Sequence, residues 1–299
     1  MTIAFPKAGP ITLKTHLAEY PISHALRAGE VSSNIVKLDF VGPKQAYEGF
    51  KPMVRENAYD ASELALVTFL QAKAYGKPFV ALPAIVLGRF QHNLIGYNSD
   101  KGTLAPKDLE GRRVGVRAYT QTTGVWLRGI LKHEYGVDLD KVKFVTMEDP
   151  HVTEYRDPPF VERASGEKKL DQMLLDGDVD AAIMGDLPKD PRIRPLIPDP
   201  DAAAKAWHAK HGAVQINHIF VVNQELSKTR PDVVQEIFRI LLASKQAGPA
   251  ATNESLPFGV EKMRKPLEMI AQYALEQKII PRAVTVDELF DDTTRKLAP

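Results

Sequence analysis

Between Val114 and Leu131 the chain reads VGVRAYTQTTGVWLRGIL, a strand-like run, a polar turn and an apolar helix. The turn holds Arg117, Tyr119, Gln121, Thr122 and Thr123. A helix starting near Thr122 presents unpaired backbone N–H groups and the positive end of its dipole. The two hydroxyls add donors, and Arg117 adds a planar, two-pronged grip suited to a carboxylate. Together they read as an anion site. The competing reading is a Thr122-capped helix with Arg117 paired to a surface acid. Capping and anion binding are compatible.

Groups able to move a proton lie elsewhere. His92 sits in GRFQH beside Arg89, and His218 in QINHIFVV, each on a segment read as a strand. Histidine titrates near neutrality and can deliver or accept a proton. For each, the alternative is a hydrogen bond to a neighbouring carbonyl; the arginine close to it at a strand end ranks His92 slightly ahead of His218. Glu63 follows Asp60 by three residues, which is also capping-box spacing. Glu19 and Tyr20 follow the first strand. Asp186 reads as a loop residue. His16, His24, His133, His151, His208 and His211 are expected at the surface. His92, His218, Glu63 and Glu19 lack a tight spacing such as HExxH, so no metal is expected.

The elements that must position these residues alternate between strand and helix. ITLKTHL, SNIVKLDFV, FVALPAIVL, HNLIGYN, KVKFVTM, DAAIMG and IFVVNQEL read as strands. QAYEGFKPMVREN, ASELALVTFLQAKAYG, GEKKLDQMLLDG, PDVVQEIFRILLASKQAG and KPLEMIAQYALEQ read as helices, with Asp60 and Gly76 bounding the second. Segments 149–166 and 186–201 read as surface loops. This alternation predicts parallel sheets covered by helices. Strands leading out of one block near residue 93 and again near 221 predict two lobes. Residues 1–93 and 222–299 would form one, and 94–221 an inserted second. Two crossing strands would join them, with ligand in the cleft at the strand ends.

The 299 residues carry 39 basic and 38 acidic side chains, a near balance that favours neither nucleic acid nor an anionic membrane as partner. The absence of cysteine rules out disulfides and thiolate chemistry. The N-terminus lacks a basic stretch followed by an apolar one, which predicts a cytoplasmic protein, or a periplasmic one if a leader has been removed.

DASELALVTFL, FVALPAIVLGRFQHNLIGYN, DLEGRRVGVRAYTQTTGVWLRGILKHEYGV and LDQMLLDGDVDAAIMGDLP together resemble the 4,5-dihydroxyphthalate decarboxylase family. The resemblance covers roughly residues 55–225. That family is similar in turn to type II periplasmic binding proteins, the solute receptors of ABC importers. One departure is visible: Leu17, Ala18 and Glu19 precede Tyr20 where that family carries a small residue, Gly and Asp. The resemblance implies an α/β, two-lobed binding-protein fold and a cofactor-free decarboxylase of a hydroxylated aromatic dicarboxylate. It also implies that Glu63 faces the cleft. His92 and His218 are then the candidate acids. Arg89, Arg117, Tyr119, Gln121, Thr122, Thr123, Glu19 and Tyr20 are the candidate substrate contacts. The expected partner is a small aromatic carboxylate, with self-association an open option. The other class of function is a solute receptor for the same kind of carboxylate.

Overall fold

A computed structural model describes residues 5–250 and 256–299. The chain divides into two compact units. One comprises the described residues up to Arg89 together with those of Ile216–Ala271 and Ile280–Pro299; the other comprises Phe90–Gln215 and Gln272–Ile279.

The first unit opens with β1 (Ile11–His16), in which Ile11, Leu13 and Thr15 point inward while Thr12 and Lys14 face solvent. That alternation is the period-2 signature of a half-buried strand. After α1 (His24–Arg27) come β2 (Val36–Phe40) and α2 (Phe50–Glu56). The segment read as one long helix from Ala61 instead divides. Ala61–Ala65 form β3, and the helix α3 begins only at Leu66, ending at Ala74. Pairing decides this against local spacing, because β3 lies parallel to β1 on one side and antiparallel to a late strand on the other. Asp60 therefore caps no helix: its carboxylate accepts the Lys14 amide at 2.8 Å. β4 (Phe79–Gly88) is buried from Phe79 to Val86, as its unbroken apolar run predicts.

The second unit carries β5 (Ile95–Asn98), β6 (Arg113–Val116), α4 (Thr122–Tyr135), β7 (Lys143–Thr146), β8 (Val161–Arg163), α5 (Leu170–Asp176), β9 (Ala181–Ile183), β10 (Ile193–Pro195) and α6 (Pro200–His211). Its sheet runs β10-β5-β9-β6-β7-β8. Every residue of α4 from Thr122 to Leu131 is buried. The two segments read as loops each hold one short strand, β8 and β10.

The chain returns through β11 (Ile216–Asn223), then α7 (Gln224–Thr229), α8 (Pro231–Ala247) and α9 (Val260–Glu276). β11 pairs with β3 and β4 and completes the first sheet, β2-β1-β3-β11-β4. His218 consequently belongs to the first unit, although an inserted block reaching to 221 was expected to contain it. Both sheets are mixed and not purely parallel: β11 is antiparallel to both neighbours, and β5 to both of its own.

Candidate functional site

In the first unit, β3 and β11 run antiparallel with Phe220 opposite Glu63 and His218 opposite Ala65. β3 is buried along its whole length, so Glu63 has no solvent exposure. An isolated carboxylate there would be costly, and it is supplied with donors instead. The Ala18 amide donates to Oε1 at 2.5 Å. The Tyr20 hydroxyl donates to Oε2 at 3.0 Å, and His218 Nδ1 lies 2.9 Å from the same oxygen. A carboxylate only accepts, so Nδ1 of His218 carries the proton. Nε2 is then the ring nitrogen free of Glu63. This is the carboxylate–imidazole arrangement that fixes a tautomer and stabilises an imidazolium.

Tyr20 also approaches His218 Nδ1, at 3.4 Å. Burial, then the charge of Glu63 and the hydrogen bond to it, hold the Tyr20 phenol above its usual range, so it remains a donor. Phe50 stands edge-on to the His218 ring at 5.1 Å between centroids. The His218 side chain is 16% exposed, a partial opening that fits a group meant to exchange protons.

His16, expected at the surface, is buried behind this cluster. Its ring stacks on Tyr59 at 5.1 Å, and Ser62 Oγ lies 3.5 Å from its Nδ1. Burial lowers its pKa, with the Glu63 charge acting in the opposite direction. Gly49 makes room for it: a Cβ there would sit 2.3 Å from the ring. The alternation of β1 puts residue 15 inward, and only the tertiary packing after the strand buries residue 16 as well. His151 is also buried, against expectation.

Sequence reasoning named Glu63, His218 and Tyr20, and the first unit brings those three together. It does not bring Glu19 to them. Glu19 is exposed and holds His24 at 2.7 Å and Arg27 at 3.0 Å. Arg89 is exposed just beyond the end of β4.

The other candidates lie in the second unit. His92 is buried in an aromatic cluster, its ring 6.4 Å from Phe90 and 6.2 Å from Trp207. Burial pushes its pKa down to about 4, only partly offset by Glu134. It is therefore neutral at pH 7 and has no proton to give there. That reverses the sequence ranking of His92 over His218 as the acid. A cavity of about 290 Å³ is lined by Phe90, His92, Asn93, Pro200, Asp201, Ala204 and Lys205.

At the turn before α4, Gln121 and not Thr122 occupies the N-cap position, with no side-chain cap bond. Thr122 and Thr123 form the first turn and are buried. Arg117 follows β6, half-buried, with Glu148 3.8 Å away. Tyr119 is not available as a ligand contact: it is 2% exposed, with Arg128 4.0 Å above its ring. Arg128 itself was missed. Its signal was present in the sequence, an arginine four residues after Gly124 on a helix otherwise apolar around it. Among the described residues no group of three or more His, Asp or Glu side chains is placed to hold a metal, and no helix is long and apolar enough to cross a membrane.

Two mixed α/β units of this topology define the class: the chain has the periplasmic-binding-protein fold. Among solved structures it is similar to the alkanesulfonate-binding protein of Xanthomonas axonopodis pv. citri (TM-score 0.57, 15% identity, 95% of this chain and 99% of that one). A Candida albicans protein described as having the generic periplasmic binding protein fold gives 0.58 at 13% identity, covering 97% and 99%. Likeness at these identities reports the fold alone. A family model described as NMT1/THI5 like matches residues 36–156. More particularly, the chain is similar to the 4,5-dihydroxyphthalate decarboxylase of Comamonas testosteroni, 26% identical over 88% of this chain and 89% of that protein. It is also similar to the enzyme of the same name from Pseudomonas putida, 27% identical over 67% of this chain and 84% of the relative.

Proposed function

We propose that the protein is a cofactor-free decarboxylase of a hydroxylated aromatic dicarboxylate of the 4,5-dihydroxyphthalate type. The observation that carries this reading is the buried Glu63 with His218, Tyr20 and the Ala18 amide gathered on it. Capturing a solute needs no such proton-handling pair, whereas decarboxylation of an arene does.

In such a substrate each carboxylate is para to a hydroxyl. The hydroxyl oxygen pushes electron density to the ring carbon that bears the carboxylate. His218, as imidazolium, gives the proton from Nε2 to that carbon. The bond to the carboxylate then breaks, its electron pair returns to the ring, and CO₂ leaves. The balance is one proton and one arene carboxylate in, one arene and CO₂ out. Glu63 stabilises the imidazolium before transfer and holds the ring in position. Taken by itself, the second unit offers a carboxylate grip at the turn of Arg117, Gln121, Thr122 and Thr123.

Purified protein incubated with 4,5-dihydroxyphthalate is expected to release CO₂ and form 3,4-dihydroxybenzoate. Phthalate, which lacks the electron-donating hydroxyls, is expected to bind without reacting. The second reading, a receptor for a small carboxylate, is favoured by the fold, since the Xanthomonas neighbour is a solute-binding protein. Tight binding of both compounds with no CO₂ from either would establish it in place of the enzyme.

A further inference from the structure

Arg128 is fully buried at the centre of the second unit. Its Nε donates to Gln277 Oε1 at 2.7 Å, and one terminal nitrogen donates to the Tyr119 carbonyl at 2.5 Å. The other terminal nitrogen has no hydrogen-bond partner, and no carboxylate lies within ion-pair distance of the guanidinium among the described residues. The carboxylate acting on it from further off is Asp157, itself 3.5 Å from Arg163. Burial lowers the Arg128 pKa against the pull of Tyr119, Tyr155 and Asp157. An arginine nevertheless remains charged.

The unpartnered nitrogen points at the first turn of α4: a Cβ on Gly124 would stand 2.9 Å from it. Side chains on a helix lean towards its N-terminus, and residue 128 reaches back one turn to residue 124. The guanidinium therefore adds full positive charge to the end of the helix that already carries the positive pole. Two like charges gathered in a low-dielectric interior repel, and among the described residues no carboxylate forms an ion pair with the guanidinium; Asp157 acts on it only from further off. An anion at the turn would relieve both. Meanwhile the bond to the Tyr119 carbonyl and the stack on its ring brace the segment that leads into that turn.

We propose that Arg128 is a positioning residue for a ligand carboxylate at the first turn of α4. It acts through the braced 117–121 segment and through its own charge, which has no ion-pair partner among the described residues, without touching the ligand. This inference rests on the carboxylate-grip part of the proposed function.

The test measures calorimetric affinity for phthalate and for inorganic sulfate, with neutral catechol as control, in wild type, Arg128→Met, Arg128→Lys and Gly124→Ala. Thermal melts report folding. Arg128→Met is expected to weaken phthalate and sulfate by at least about tenfold while catechol stays within about twofold. Arg128→Lys, which keeps the charge, should recover most of the loss. Gly124→Ala, whose methyl displaces the guanidinium, should cost about threefold.

Unchanged anion affinity in Arg128→Met overturns the inference, as does an equal fall for phthalate and catechol, or a wild type that binds neither anion. If Arg128→Met does not fold, Gly124→Ala decides, and wild-type affinity in it overturns the inference. CO₂ release from 4,5-dihydroxyphthalate separates the two conclusions. Anion loss in Arg128→Met alongside an inert wild type keeps the inference and removes the decarboxylase. An active Arg128→Met enzyme with unchanged KM does the reverse.

Discussion

Glu63 in the first unit and Arg128 in the second have no solvent exposure at all, and the two are treated in opposite ways. Glu63 receives a backbone amide, a phenol and an imidazole on its two oxygens. Arg128 has two of its three nitrogens bonded and nothing on the third. The carboxylate is complete within the protein, as a group that must hold another side chain in one geometry should be. The guanidinium is incomplete, as a group that awaits a charge from outside should be. A buried ion with all its partners is a fixture, and one missing a partner stores free energy that a ligand can release.

The largest expected effect tests whether the Glu63 cluster is more than a structural knot. His218→Asn should leave affinity for 4,5-dihydroxyphthalate nearly intact and lower turnover by about 10²–10⁴-fold, the usual share of general acid catalysis. Steady-state kinetics beside calorimetry read the two separately. Equal turnover in wild type and variant would reduce the pair to scaffolding.

Glu63→Gln comes next. The volume is kept, but one carboxylate oxygen becomes an amide donor facing donors. Removing one side of a buried charged pair costs about 2–4 kcal/mol, read from urea midpoints at pH 7. Turnover should fall as well, since the imidazolium loses its counter-charge. A variant as stable as wild type would show that Glu63 is protonated in the folded protein, and the contrast with Arg128 would collapse.

How far these features were legible in the sequence follows from the range of the forces involved. The α/β alternation, the apolar run of β4 and the helix α8 between a Pro and a Gly were legible because local spacing and end signals determine them. The strand at Ala61–Ala65 was not, because its pairing with β1 and β11 is long-range and overrides a helical pattern. Glu63 reads as the start of a helix, but it lies within a strand, where it meets Tyr20 and His218. His16 was assigned to the surface because nothing in ITLKTH marks its last residue as buried. Arg128 was passed over because an arginine in a helix normally lies on a solvated face. His92 was ranked above His218 for its neighbour Arg89, and the aromatic burial that neutralises it comes from α6, more than 100 residues away in sequence.

That burial yields a pH prediction that sets a third group beside the two charges. His92 avoids charge altogether. Its folded pKa of about 4 lies below the unfolded value of about 6.5. Between those values the unfolded chain binds the extra proton, so stability rises with pH. The stabilisation is complete above about pH 6.5 and is lost as pH falls towards 4, by up to about 2–3 kcal/mol. Urea midpoints at pH 7 and pH 4.5 should converge in His92→Gln relative to wild type. An unchanged acid slope in the variant would mean that His92 is charged when folded, and would restore it as a proton donor.

The smallest effect dissects the complete site. Tyr20→Phe removes one donor from Glu63 Oε2 and leaves the His218 and Ala18 bonds in place. A hydrogen bond to a charged acceptor is worth about 1.5–3 kcal/mol, and the half-buried phenol argues for the low end, about 1.5 kcal/mol. Turnover should fall by only about fivefold, because His218 keeps its carboxylate. The phenol is held well above its normal range, so it does not ionise in the working pH window and its removal should leave the shape of the pH–rate profile unchanged. If Tyr20→Phe instead erases a limb of that profile, the proton reaches the ring carbon through the phenol, and Tyr20 replaces His218 as the group that touches the reacting atom. The double variant Tyr20→Phe/His218→Asn then separates the routes. Losses that multiply mean two independent contributions, whereas a double variant no worse than His218→Asn means one relay running through both.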